Sequence, residues 1–128
     1  MNDIPAGSND AKLTVAVDFD GVIADYDGWA DEKTFGPPRE DVVKALGALR
    51  DEGWKIIVFS CRETRGLISY LTQNSIPYDE VNQNSSHSTG GAKPVANVYW
   101  DDRAVCYSGN AGKDLEIIRN FRTWRGRR

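Results

Sequence analysis

A chain of 128 residues, 40% hydrophobic and 27% charged, has room for one domain with a real core and not for two. That apolar share excludes wholesale disorder and collagen-like or low-complexity classes, and no apolar run approaches the roughly 20 residues that span a bilayer. The net charge of −3 hides an asymmetry: residues 119–128 hold Arg119, Arg122, Arg125, Arg127 and Arg128 and no acid, which leaves −8 on the rest, and an acidic body lacks the basic face expected of a nucleic-acid binder.

Residues 1–11 read as a flexible lead-in, without the basic and apolar regions of a secretory signal. The run from Leu13 to Val17, ending in Asp18-Phe19-Asp20-Gly21, is short, β-branched and apolar, as in a strand buried on both faces of a parallel sheet. Residues 22–36 show no clean periodicity. After Pro37-Pro38, Val42, Val43, Leu46 and Leu49 recur at helical spacing, and Gly53 ends the pattern. Trp54–Phe59 is a second buried strand, closed by Ser60-Cys61-Arg62. Glu63–Asn74 is a second helix with Leu67, Ile68 and Leu71 on one stripe, and a weak third strand lies at Tyr78–Val81. A polar loop at 82–91 leads to a strand at Val95–Trp100, which runs into Asp101-Asp102. Val105-Cys106-Tyr107 is a last short strand, and Leu115, Ile118 and Phe121 pack one face of a final helix that opens into the arginine tail.

Strands alternating with helices imply a doubly wound α/β sheet with right-handed crossovers, in which the carboxyl ends of strands converge on one crevice. Four carboxylates gathered there repel one another, and a cation keeps such a cluster ionised. An all-oxygen set without histidine or thiolate suits Mg²⁺. Asp18 and Asp20 are two residues apart on a strand and point to the same side, so both can reach one phosphoryl group. One carboxylate can attack phosphorus while the other moves protons. Lys93 and backbone N–H groups must then face the phosphate charge, and Gly21 permits the tight turn that presents them.

The segments DFDGVIAD, VFSCR, GAKPVA and YWDDRA resemble, in order, the four motifs of the haloacid dehalogenase superfamily of phosphohydrolases, over residues 13–107. DxD and DD are common singly; the ordered set at strand ends is specific. The resemblance implies a three-layer αβα Rossmann-like fold with strand order 3-2-1-4-5 and a single domain over residues 1–128. It implies Asp18 as nucleophile, Asp20 as general acid/base, Ser60 as a phosphoryl hydrogen-bond partner and Lys93 as charge stabiliser. Asp18, Asp20 (through its carbonyl), Asp101 and Asp102 would form the Mg²⁺ site, with Asp102 bound directly and Asp101 through water. Phe19, Gly21, Cys61 and Arg62 form the expected phosphate- or substrate-binding set. Asp20 favours phosphoryl over halide chemistry. The lysine eight residues before the acidic pair, with the DFDGV opening, is similar to the deoxyribonucleotidase branch, whose cap insertions are missing here. A capless, open site suits a large phosphorylated substrate such as a nucleic-acid end, or a small molecule such as a nucleotide if a homo-oligomer covers it. The alternatives are a sugar-phosphate phosphatase and a catalytically silent module that holds nucleic acid with its tail.

A two-component receiver domain also uses acids and a lysine, but its motif order differs from this one. His87, the only histidine, reads as a solvated loop residue. Cys106, Trp54 and Trp100 read as core, and Trp124 as a helix-end anchor rather than a base-stacking platform. Trp29 and Phe35 fit either flap or packing. Cys61 and Cys106 have no CxxC spacing, which argues against a disulfide scaffold or thiolate zinc site and for a reducing, cytoplasmic home with no membrane partner.

Overall fold

The two most apolar runs form the centre of a parallel sheet, as their burial on both faces requires. In the computed structural model, which describes residues 13–126, strand β1 covers Thr14–Asp18 and β2 covers Lys55–Phe59. β3 is Glu80–Val81 and β4 is Val98–Trp100, giving four parallel strands in the order β3-β2-β1-β4. Val15 sits between Ile56 and Val98, and Val17 between Val58 and Trp100. The expected lead-in, with Arg127 and Arg128, lies outside the described residues.

Helices α1 (Glu40–Asp51) and α2 (Thr64–Gln73) cover one face. Val42 and Leu46 of α1 and Leu67, Tyr70 and Leu71 of α2 share a core with Val15, Val17, Ile56 and Val58. Both helices lie on the same side because β1-α1-β2 and β2-α2-β3 step in one direction with the same handedness. The next step returns across β1 to β4, so a right-handed connection must run over the opposite face. Lys55 shares that face with Ile57, and its ammonium bonds Asn84 Oδ1 at 2.9 Å and Glu80 at 2.7 Å. The Tyr99 hydroxyl, on the same side, donates to the Pro94 carbonyl at 2.7 Å. This connection carries one 3₁₀ turn, Ser85–His87. The expected second helical layer is therefore replaced here by a loop.

The end of the chain departs from expectation. Residues 105–107 form no strand; Tyr107 is 73% exposed and Cys106 is exposed rather than core. Without a fifth strand, β4 stays at the sheet edge, which leaves Trp100 at 36% exposure. Helix α3 (Ala111–Arg119) packs against none of the strands or other helices described, and its expected core residues Leu115 and Ile118 are exposed. Local caps hold it instead: Asn110 Oδ1 accepts from the Lys113 N–H, and Asp114 accepts from the Ser108 N–H, both at 3.1 Å. Trp54 does pack against the core, as expected. Among the described residues no helix is long and apolar enough to cross a membrane.

Candidate active site

β1 is the point from which the chain runs outward in both directions, so the carboxyl ends of β1 and β4 flank the crevice where such sheets bind ligands. Asp18 ends β1, and Asp101 and Asp102 follow β4. Their carboxylate oxygens come within 4.8 Å of one another. Burial first, then a hydrogen bond with Asp102 and the charges of Asp101 and Asp102, push the Asp18 carboxyl up to about 9; the Phe19 N–H works against them. Asp102 Oδ1 is buried without a hydrogen-bond partner among the described residues. Three crowded carboxylates, one protonating upward and one with an orphaned oxygen, fit a hard divalent cation that would satisfy both.

Gly21 makes this crowding possible. Its φ is +90°, and a Cβ there would lie 2.7 Å from Asp102 Cγ. Only a residue without a side chain both adopts that conformation readily and lets the carboxylate lie against the backbone. The Trp124 indole N–H donates to the Gly21 carbonyl at 2.8 Å, and Arg39 stacks 4.5 Å from the Trp124 ring centroid. Trp124 and Arg125 thus fold back onto the site loop. Arg125 pairs with Asp25, Arg119 with Glu116, and Arg122 reaches the Gly126 carbonyl.

A cleft of about 580 Å³ opens beside the acids and brings Asp18 and Asp101 together with Ser60, Cys61 and Lys93. Ser60 Oγ accepts from the Arg62 N–H at 3.1 Å, which leaves its hydroxyl proton for another acceptor. Lys93 rests its ammonium 4.2 Å from the Tyr99 ring centroid, and among the described residues it forms no ion pair with the three acids. Two further cleft residues escaped sequence reasoning. Arg103 lines the wall, its N–H bonding Asp101 Oδ1 at 2.8 Å. Asn82, at φ +58°, accepts from the Ser60 N–H at 2.9 Å and donates to Thr64 Oγ1 at 3.0 Å, tying the Ser60 turn to α2. Its signal was an asparagine just after a strand, a residue that tolerates left-handed backbone.

Three expected site residues sit differently. Phe19 buries its ring against Phe35 and Tyr70, and its N–H bonds Asp18 Oδ1 at 2.9 Å, so that donor is already engaged. The Asp20 carboxylate does not join the other three; it forms a two-pronged ion pair with Arg62 at 2.7 and 3.1 Å. Arg62 is buried, with every N–H bonded inside the protein, so it has no donor left for the substrate contact expected of it. Among the aromatic residues of 22–36, Trp29, half exposed, and Phe35 both stack on Arg62, within the 29–36 flap segment, and Phe35 also packs against the core. His87 lies in the 3₁₀ turn and lines a hollow of about 280 Å³ that shares Asn82, Ala92, Lys93 and Pro94 with the acid cleft.

Together these observations define an α/β protein with an acidic, metal-fitting cluster at the switch point of a parallel sheet. A solved structure described as the conserved protein coded by a locus from Bacteroides thetaiotaomicron is similar, with 26% identity over 91% of this chain and 97% of that one, at a TM-score of 0.61. No protein-family model and no curated protein matches the chain.

Proposed function

We propose that the protein is a Mg²⁺-dependent phosphomonoester hydrolase of the haloacid dehalogenase type, working through an aspartyl-phosphate on Asp18. The observation that carries this reading is the meeting of Asp18, Asp101 and Asp102 within 4.8 Å, with Ser60 and Lys93 in the adjoining cleft. The four sequence segments that resemble that superfamily supply these residues, in its order. Asp18, Asp101 and Asp102 would hold the Mg²⁺. When bound, the cation offsets the negative charge of the carboxylates and of the phosphoryl group.

Asp18 attacks phosphorus with one carboxylate oxygen, the bond to the leaving oxygen breaks, and Asp20 supplies that oxygen with a proton. Ser60 donates its hydroxyl to a phosphoryl oxygen. Lys93 swings from the Tyr99 ring to the same group, which its flexible stem permits. Asp20 then takes a proton from water, whose oxygen attacks phosphorus, and the bond to Asp18 breaks to release inorganic phosphate. For either proton transfer one Asp20 oxygen leaves the two-pronged pair while Arg62 keeps the other and so aims the carboxyl.

The substrate is a phosphomonoester that fits an open cleft: a nucleotide, a sugar phosphate or a phosphorylated nucleic-acid end. The pairing of Arg119 and Arg125 with acids of this chain weakens the case for a tail that binds nucleic acid. A screen of these three classes with Mg²⁺ tests the reading. Turnover should vanish in excess chelator and return with Mg²⁺. Ca²⁺ should inhibit, because its looser shell misplaces Asp18 for in-line attack. Full activity in chelator, or none on any phosphomonoester with Mg²⁺ present, refutes it.

A further inference from the structure

Arg62 is 4% exposed in a protein whose other cations mostly reach solvent. A guanidinium has five N–H donors in one plane, and all five are used. Nε bonds Asp20 Oδ2 at 2.7 Å, and Nη2 bonds Asp20 Oδ1 at 3.1 Å and the Thr34 carbonyl at 3.0 Å. Nη1 bonds the carbonyls of Asp31 and Glu32, each at 3.0 Å. The Trp29 and Phe35 rings lie 4.6 and 4.7 Å from its central carbon. One side chain thus joins the acid at the end of β1 to five residues of the flap, and its own backbone N–H joins Ser60.

The flap has further anchors on the same side. Glu32 accepts from the Glu63 N–H at 3.0 Å, and the Gly36 carbonyl accepts from the Tyr70 hydroxyl at 2.8 Å. Neither hydrogen-bonds Asp20, although the Asp20 charge is felt at the Tyr70 hydroxyl. Arg62 is therefore the hydrogen-bonded link between flap and acid, and its bidentate geometry cannot be copied by a lysine, which offers a point charge.

We propose that Arg62 is the positioning residue of Asp20, coupling the set of the 29–36 flap to the placement of the proton-transferring carboxylate. This rests on the acid/base role of Asp20 argued above. A flap that shifts over substrate moves the Thr34 carbonyl and with it Nη2, which loosens the Asp20 Oδ1 prong while Nε still holds Oδ2, so covering the site and presenting an aimed acid are one event. Arg62 touches no substrate in this scheme.

The test is the dependence of phosphorylation rate on the leaving group, measured in single turnovers with Mg²⁺ on alkyl and p-nitrophenyl phosphates. An alkoxide needs a proton to leave; p-nitrophenolate does not. Arg62→Lys should slow transfer from the alkyl ester by about 100-fold, within the usual range for general acid catalysis, and from p-nitrophenyl phosphate by less than about threefold. Phosphate should also accumulate on Asp18, since water activation suffers too. In the Asp20→Asn background, Arg62→Lys should add nothing. Trp29→Ala removes a half-exposed ring from the guanidinium and threatens the fold little; it should show the same pattern more weakly. Equal slowing of both esters in Arg62→Lys and Trp29→Ala, or additive losses with Asp20→Asn, would overturn the proposal while leaving the hydrolase reading intact. If the unaltered protein transfers phosphate from neither ester, both fall.

Discussion

Replacing Gly21 by alanine places a methyl group where the structure has least room beside the acids. The backbone there sits at φ +90°, and holding a residue with a Cβ in such a region costs about 1–3 kcal/mol. The added carbon would lie 2.7 Å from Asp102 Cγ, against an ordinary carbon–carbon contact of about 3.5–4.0 Å. The carboxylate must therefore retreat by roughly 1 Å, several times the roughly 0.2 Å within which metal–ligand distances hold. Two separable losses follow. Without metal, the melting temperature should fall by about 4–12 °C, taking about 4 °C per kcal/mol for a chain of this size. The rise in melting temperature expected of the unaltered protein in saturating Mg²⁺ should be absent from the variant, because binding to the folded state no longer stabilises it. Differential scanning fluorimetry with a Mg²⁺ titration reads both. Adding Asp102→Ala to Gly21→Ala removes the collision and should restore only the part of the metal-free loss that the collision causes. A Gly21→Ala protein with unchanged melting temperature and an unchanged Mg²⁺ shift would refute the close-approach argument and the place of Asp102 in the metal site.

Three more outcomes follow from the same geometry. Because the folded protein raises Asp18 from 3.8 to about 9, the folded state holds a proton that the unfolded state has lost between those values, so metal-free stability should decline from about pH 4 to about pH 9. Mg²⁺ should flatten that decline, and urea unfolding at several pH values with and without Mg²⁺ decides it; a metal-free stability that rises across this window would contradict the burial of Asp18. Asp18→Asn should leave no phosphoenzyme, whereas Asp20→Asn should form it from p-nitrophenyl phosphate and hydrolyse it slowly, with mass spectrometry locating the phosphate on Asp18. Truncation after Phe121 removes the Trp124 bond to Gly21 and the Arg39 stack, worth about 1–2 kcal/mol together, and should impair oligonucleotide and p-nitrophenyl phosphate turnover alike. A selective loss on the oligonucleotide would instead mark the tail as a recruiter of polyanions.

The parts of the fold legible in the sequence are those where one short run decides the answer. Val15–Val17 and Ile56–Val58 are buried on both faces, so continuous apolar runs mark them as central strands of a parallel sheet. Asp18 ends the first of these strands and Asp101 and Asp102 directly follow β4, which is why the convergence of these three acids could be read from position. Helix α3 misled for the opposite reason. Leu115 and Ile118 have helical spacing, but spacing shows only that a stripe exists and not that a sheet lies beneath it. Asn110 and Asp114, the caps that do hold the helix, looked like ordinary polar residues.

Arg62 was the larger miss, and its cause is general. Its partners lie 28 to 42 residues away, and three of its five bonds go to main-chain carbonyls, which leave no trace in side-chain identity. A sequence shows an arginine beside a phosphate-type loop and invites the inference of a substrate contact; counting donors in the fold removes it. The same count changes the meaning of the charge asymmetry. Arg125 is spent on Asp25 and Arg39 on the Trp124 ring, both beside the Gly21 loop, so these positive charges brace the segment that carries the acids. A half-buried acidic cluster needs its supporting loop fixed more firmly than it needs distant cations, because those are screened beyond about 10 Å in ordinary salt. Trp124 and Arg125 are placed where they can do the first and not the second.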